Sequence, residues 1–257
     1  MPARPLTPAL VILPTYNEQE NLKPITASIL AQSPDFEVLV VDDKSPDGTG
    51  ELADRLAVEW DGRVHVLHRD AKRGLGTAYV TGFEWALERD YAHIFEMDAD
   101  FSHDPADLLR LREAVGPGAA DVAVGSRWVS GGGTRNWSLL RTLISRGGSL
   151  YARMILGSPI DDLTSGFKCF SRHVLEQVDL SGVQSNGYAF QVEMNYRCQR
   201  QGFRVAQVPI VFVDRRVGKS KMGASIVLEA MLVVLRLRLQ RLLAAPPSVR
   251  PRYSRMP

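Results

Sequence analysis

The chain has only two cysteines in 257 residues, Cys169 and Cys198, far apart and outside any Cys-x-x-Cys spacing. That excludes a disulfide framework and a zinc ribbon, and it fits a reducing compartment. Long apolar runs are also missing. "ALVIL" (9–13) stops at Pro14, so no secretory leader is expected. "SIVLEAMLVVL" (225–235) is interrupted by Glu229 and falls short of the ~20 residues a membrane span needs. Charge of one sign is scarce in bulk: the formal net charge is +2, which argues against a nucleic-acid partner. It is not scarce locally, because no acidic residue follows Glu229 while Arg236, Arg238, Arg241, Arg250, Arg252 and Arg255 do. Two nucleotide fingerprints are absent as well. There is no GxxxxGK[ST] loop, and "RGLGTAYVTG" (73–82) is not GxGxxG, so ATPase and dinucleotide-enzyme readings lose ground.

What is present is a regular alternation. "ALVIL" (9–13), "FEVLVV" (36–41), "RVHVLH" (63–68) and "AHIFEM" (92–97) read as short buried strands. Between them lie helical stretches at 18–32, 49–60 and 76–89. This pattern indicates βαβ units and a parallel sheet covered on both faces. Asp104-Pro105 supplies an N-cap and a first-turn proline for "ADLLRLREAV" (106–115). "DVAVG" (121–125) is a fifth strand, "SGGGTRNW" (130–137) a glycine-rich loop and 138–156 a basic helix. "GFKCF" (166–170), "FRVAQV" (203–208) and "IVFVD" (210–214) are expected as further strands around a helix at 187–201. The expected division is one catalytic domain at 9–223, with a nucleotide-sugar half (9–115) and an acceptor half (116–223). An amphipathic helix (224–243) and a disordered basic tail (244–257) would follow.

Ligands of open parallel sheets bind at the carboxyl ends of the strands. Polar, acidic segments fall at three such ends: "PTYNE" (14–18), "DDKSPDG" (42–48) and "DADFS" (98–102). Each has an ordinary alternative as a turn or a solvated loop. Together they favour a site. Two carboxylates one residue apart, Asp98 and Asp100, suit a hard divalent cation, Mg²⁺ or Mn²⁺, whose remaining positions take water and phosphate oxygens. A diphosphate is the natural co-ligand, since the ion neutralises charge as that group departs.

"LPTYNEQENL", "VLVVDDKSPDGTG", "KRGLGTAYVTGF", "MDADFSHDP", "VGSRW" and "VDRRVGKSKMG" together resemble glycosyltransferase family 2, and within it the dolichol- and polyprenol-phosphate mannose synthases. The resemblance runs from about residue 9 to 223. It implies an α/β fold of the GT-A type (Rossmann-like, mainly parallel sheet, helices on both faces) and GDP-mannose as donor. By similarity Pro14, Tyr16, Glu18, Val41 and Asp43 line the nucleoside pocket, and Asp98, Ala99 and Asp100 contact the diphosphate and metal. Asp100 is then the principal metal ligand, and Ser102 stands where some relatives place a metal-reaching Gln. Lys44 occupies a position where relatives often have Gly or Asn. Arg215 and Lys221 of "RRVGKSK" match a closing loop that shuts over the diphosphate. Arg127, Arg141 and Ser145 match positions that bind the acceptor's phosphate, and Arg141 and Ser145 share a helix face.

The resemblance implies Asp100, Arg127, Arg215 and Lys221 as the catalytic set and a polyprenyl phosphate as acceptor. A phosphate nucleophile is already anionic at neutral pH. No general base is then needed, and Asp161 and Asp162, which could otherwise be nominated for that role, are read as structural or as supporting the residues that touch substrate. The Q-x-x-R-W motif of processive polysaccharide synthases is absent. The competing readings are a family 2 transferase using a UDP-sugar, such as a glucosyl transferase, and a catalytically silent nucleotide-sugar-binding subunit. The expected location is peripheral, on the cytoplasmic face of a membrane. Contact would be made by 224–243 with an anionic surface, or by docking on an integral membrane partner.

Overall fold

The computed structural model describes residues 8–214 and 224–243, with side chains in the last helix described from Ala230 to Gln240. In chain order the elements are β1 (Ala9–Thr15), α1 (Gln19–Leu30), β2 (Phe36–Asp42), α2 (Thr49–Glu59), β3 (Val64–His68) and α3 (Leu75–Leu87). Next come β4 (His93–Glu96), α4 (Asp107–Glu113), β5 (Val122–Ser126), β6 (Gly133–Arg135) and α5 (Leu139–Leu156). The remainder are β7 (Lys168–Ser171), α6 (Arg172–Gln177), α7 (Gly187–Arg200), β8 (Val205–Pro209), β9 (Val211–Val213) and α8 (Ala224–Leu243).

Seven strands form one sheet in the order β3-β2-β1-β4-β7-β5-β8. All pairings are parallel except those of β7, which runs antiparallel between β4 and β5. The chain leaves β1 in one direction, through β2 and β3, and then returns to build β4 on the other side of β1. That reversal opens a crevice above the ends of β1 and β4, which is where such sheets bind ligands.

Alternation along the strands splits the core into two layers. Leu10 and Ile12 of β1, with Leu39 and Val41 of β2, pack with residues of α3, α5, α7 and α8. Ala9, Val11 and Leu13 face the other way, against α1, α2 and α4. Side chains on successive strand residues point to opposite faces, so a strand buried on both sides has to be apolar throughout. Each such Val, Leu or Ile stabilises the fold by about 1.5–3 kcal/mol.

Three local expectations are corrected. "SGGGTRNW" is not all loop: Gly133 to Arg135 pairs in parallel with Val211 to Val213 as a small second sheet. β9 therefore leaves the main sheet, and α6 is an added helix. Asp104 is not the cap next to a helix starting at 106. Its carboxylate accepts from the Ala106 N–H in a turn, and α4 begins at Asp107. α8 is helical as expected and packs on α5 and α7, with Val234 and Leu237 buried. Met231, Leu232, Leu235 and Leu239 on it stay exposed.

Candidate active site

The loops after β1 and β2 are laced together by short polar side chains. Asn17 takes a left-handed φ of 62° and its N–H donates to Ser45 Oγ at 3.0 Å. The Glu18 N–H donates to Thr49 Oγ1 at 3.0 Å. Asp42 accepts from Thr15 Oγ1, from the Ser45 N–H and from Ser45 Oγ, so it braces the turn. Its neighbour Asp43 faces the crevice. Burial raises the Asp43 carboxyl pKa above its usual range, against the pull of Arg69 at 2.9 Å. Lys44 has φ 56°, the left-handed region that Gly and Asn tolerate best, which explains the residues expected there.

These loops, the end of β4 and the start of β7 enclose a cavity of about 430 Å³. Pro14, Tyr16, Glu18, Asp43, Asp98, Ala99, Asp100, Arg127 and Arg141, all named from the sequence, line it together. Three expected residues do not. Val41 lies in the interior of β2 and is packed into the core, because its strand position points it away from the crevice. Ser102 is buried outside the cavity wall. Its N–H donates to Asp100 Oδ1 at 3.0 Å, so it holds the carboxylate by its backbone. Ser145 lines a smaller neighbouring cavity of about 70 Å³, which shares Thr164 and Tyr188 with the first. Arg215 and Lys221 lie outside the described residues, as does the tail 244–257.

Asp98 Oδ1 accepts a long hydrogen bond, 3.3 Å, from Tyr79, whose hydroxyl pKa is raised well above the usual phenol range by burial and then by the Asp98 charge. Among the described residues no group of three or more His, Cys, Asp or Glu side chains is placed to hold a metal, so the two carboxylates of Asp98 and Asp100 are too small a set for an all-protein metal cage. They do suit a hard ion that keeps water and substrate oxygens in its other positions.

Arg127 holds a buried two-pronged ion pair with Asp162, Nε to Oδ2 and Nη2 to Oδ1 both at 2.6 Å, and Nη2 also donates to Thr164 at 2.9 Å. Burial opposes its charge, yet Asp162 more than compensates and its pKa rises. Sequence reasoning placed Asp162 as structural, which this pairing explains, but it did not foresee that Asp162 would occupy two prongs of Arg127. Arg141 is more open. Its guanidinium lies 4.0 Å over the Trp137 ring and Nη1 meets Asp214 Oδ1 at 2.6 Å.

Three further lining residues were not among those expected from the sequence. Lys72 of "KRGLG" sits 3.6 Å over the Tyr16 ring. His103, inside "DADFSHDP", stacks on Phe167 at 4.8 Å and accepts from the Asp98 N–H at 3.4 Å. Burial brings its pKa down to about 4, so it is neutral at pH 7. Gln191 of α7 had no motif to mark it. Gly74, at φ 98°, takes a backbone conformation L side chains avoid, and a Cβ there would stand 2.7 Å from Asn186 Oδ1.

Residues 10–179 match the family described as Glycosyl transferase family 2. The chain is 50% identical over 231 residues to a polyprenol monophosphomannose synthase of Mycolicibacterium smegmatis, covering 90% of this chain and 87% of that one. It is 51% identical over 228 residues to an undecaprenyl-phosphate mannosyltransferase of Micrococcus luteus, covering 88% and 92%. Among solved structures, glucosyl-3-phosphoglycerate synthase of Mycobacterium tuberculosis with Mn²⁺, UDP-glucose and phosphoglyceric acid superposes with a TM-score of 0.63. That match is 16% identical and covers 91% of this chain and 80% of that one, a likeness of fold alone, of the GT-A type.

Proposed function

The chain belongs to glycosyl transferase family 2, and from that premise we propose that it moves mannose from GDP-mannose to a polyprenyl phosphate, inverting the anomeric carbon. The observation that carries this reading is one cavity lined by Asp98 and Asp100 at the end of β4 and by Arg127 and Arg141 from beyond β5. Carboxylates suit a cation-bound diphosphate, and a guanidinium suits a second phosphate. The two relatives, a polyprenol monophosphomannose synthase and an undecaprenyl-phosphate mannosyltransferase, support the same donor sugar and acceptor class.

Pro14, Tyr16, Glu18 and Asp43 hold the nucleoside at the β1–β2 end. Mg²⁺ or Mn²⁺ bound through Asp98 and Asp100 would neutralise charge on the departing diphosphate. Arg141 presents its planar fork to the acceptor phosphate, which at neutral pH attacks as an anion. Both candidate bases are otherwise engaged, Asp162 with Arg127 and Asp161 with Arg153 at 2.5 Å, in keeping with a nucleophile that needs none. Arg215 and Lys221 complete the proposal as the cations of a closing loop. Product analysis with a panel of GDP- and UDP-sugars and a short polyprenyl phosphate tests it. Preference for UDP-glucose would move the assignment to a glucosyl transferase, and nucleotide binding without any transfer would make the chain a silent subunit.

The acceptor assignment has its own test. Arg141→Ala is expected to lower kcat/KM for the lipid phosphate about 10- to 100-fold, the ~1.5–3 kcal/mol of a charge-assisted pair. GDP affinity should stay within twofold by calorimetry, and a GDP defect as large as the transfer defect would reassign the residue to the donor side.

No described helix is long and apolar enough to cross a membrane. A lipid acceptor still requires a surface on which the protein can work. α5 offers one beside Arg141: Leu139, Leu140 and Leu143 are 84%, 68% and 69% exposed. With the exposed residues of α8 they form the proposed contact with the cytoplasmic face of an anionic membrane. Leu140→Glu with Leu143→Glu should weaken binding to protein-free anionic liposomes, read by co-sedimentation, by at least two orders of magnitude, each leucine contributing about 1.5–3 kcal/mol when buried. If the wild type does not sediment with such liposomes, an integral membrane partner covers this face instead.

A further inference from the structure

Gln191 is 2% exposed and lines the cavity from α7, yet neither the donor nor the acceptor reading gives it a task. Its surroundings fix which way its amide points. The ammonium of Lys168, at the start of β7, donates to Gln191 Oε1. An ammonium has hydrogens and no acceptor, so the amide oxygen must face the lysine and the nitrogen must face away. Lys168 is held in turn by Glu96 at 3.0 Å, with both side chains wholly buried.

The nitrogen has two hydrogens to place. The amide makes a side-chain hydrogen-bond interaction with Glu96 that favours the ionised carboxylate, but it is too poorly aligned to count by distance and angle, and the second hydrogen of the buried Nε2 still lacks an acceptor. Leaving such a donor unpaired costs about 1–3 kcal/mol. It lies beside Gly166, another lining residue. A Cβ on Gly166 would stand 3.3 Å from Gln191 Nε2 and 3.9 Å from Asp98 Oδ2. The bare backbone there keeps space open between the amide and the carboxylate.

Sheet order says what belongs in that space. β7 lies between β4, which leads to Asp98 and Asp100, and β5, which leads to Arg127. In an in-line displacement the transferred sugar lies between the leaving diphosphate and the attacking phosphate. The segment entering β7 therefore flanks the sugar. A neutral N–H matches a hydroxyl, whereas the two phosphates are already matched by charge.

We propose that Gln191 donates a hydrogen bond from Nε2 to a hydroxyl of the transferred hexose, making it a specificity-determining residue, oriented by Lys168 and Glu96. This rests on the glycosyl-transfer reading above. A ligand without an acceptor at that point leaves the donor unpaired, which is how buried polar groups discriminate. The sugar-bearing nucleotide therefore gains affinity that the bare nucleoside diphosphate cannot.

The test compares GDP with GDP-mannose on the full chain. Gln191→Leu should bind GDP within twofold of wild type but lose at least tenfold of its preference for GDP-mannose over GDP. Its kcat/KM should fall 10- to 100-fold. Gln191→Asn, which withdraws the nitrogen by one methylene, should show the same split, and it decides the matter should the leucine variant fail to fold. An unchanged preference, or equal losses for GDP and GDP-mannose, overturns the proposal. If the wild type turns over a different sugar nucleotide, the donor reading fails. The comparison of that nucleotide sugar with its own nucleoside diphosphate still decides the role of Gln191.

Discussion

Replacing Asp100 by Asn is expected to lower mannosyl transfer by two to three orders of magnitude, about 3–4 kcal/mol of transition-state stabilisation, while the protein stays folded. The substitution keeps the size of the side chain. Its remaining oxygen can still accept the Ser102 N–H that Asp100 Oδ1 now accepts at 3.0 Å. What it removes is the negative charge, and with it the attraction to a divalent ion that has few other protein ligands here. Because Asp100 is 5% exposed, solvent screens that attraction only weakly. Wild-type activity should vanish in chelator and return on titration with Mg²⁺ or Mn²⁺. The variant should not recover at ion concentrations that saturate the wild type. Full wild-type activity in chelator would end the metal-assisted reading, and an unaffected Asp100→Asn would move the ligand elsewhere.

The largest stability effect is expected beneath the site. Lys168 and Glu96 face each other in the middle of the sheet, across the antiparallel β4–β7 pair, with nothing exposed of either. Burial raises the Glu96 carboxyl pKa, and Lys168 opposes the rise. Lys168→Met leaves a carboxylate in the core without its cation, which costs about 3–5 kcal/mol. That is a large share of the 5–15 kcal/mol that holds a typical domain together, and a fall in Tm on the order of 10 °C should follow.

The double variant Lys168→Met, Glu96→Leu removes both charges and should regain most of the loss. Without Lys168 the folded-state pKa of Glu96 rises further above its unfolded value of about 4.3. The single variant's deficit is then small below that pH and grows as pH rises through the raised folded value. Denaturant titrations at pH 5 and pH 8 should show it, with the larger deficit at pH 8. A deficit that is equal at both pH values, or a double variant no better than the single, would mean that the pair stabilises by packing and not by charge.

The half of the fold built from local repeats was legible in the sequence. β1 to β4 and α1 to α3 have boundaries within about two residues of those read from apolar runs and turn residues, because a doubly buried strand must be apolar along its whole length. The acidic motifs were legible for a related reason. "PTYNE", "DDKSPDG" and "DAD" are polar where a strand has just ended, and the topology of a parallel sheet brings such ends to one edge. Lys44 was visible only as a departure from an expected Gly or Asn. Its φ of 56° supplies the reason those residues suit the position.

Beyond residue 121 the periodic signal weakens. β6 is three residues of a glycine-rich stretch and β9 three residues after a proline, lengths at which no alternation can be read. "GFKCF" contained a strand, but nothing local said that it would insert between β4 and β5 and run against both. Ser102 looked like a ligand by position, while in the fold its backbone serves Asp100. Ser145 shares a helix face with Arg141 as expected, and the packing of α5 on α8 turns it toward a different cavity.

By itself, then, the order of residues determined the βαβ alternation, the carboxylates at the strand ends and the basic side chains near them, since each depends on neighbours within a turn or a strand. Only the tertiary structure decided which charges are already balanced and which donors still lack partners. Arg127 finds Asp162 from 35 positions away, Lys168 finds Glu96 from 72, and Gln191 has its amide fixed by a lysine 23 positions before it. No local pattern encodes such pairs. They form because a buried charge or amide must be satisfied by whatever group the packed core brings within about 3 Å of it.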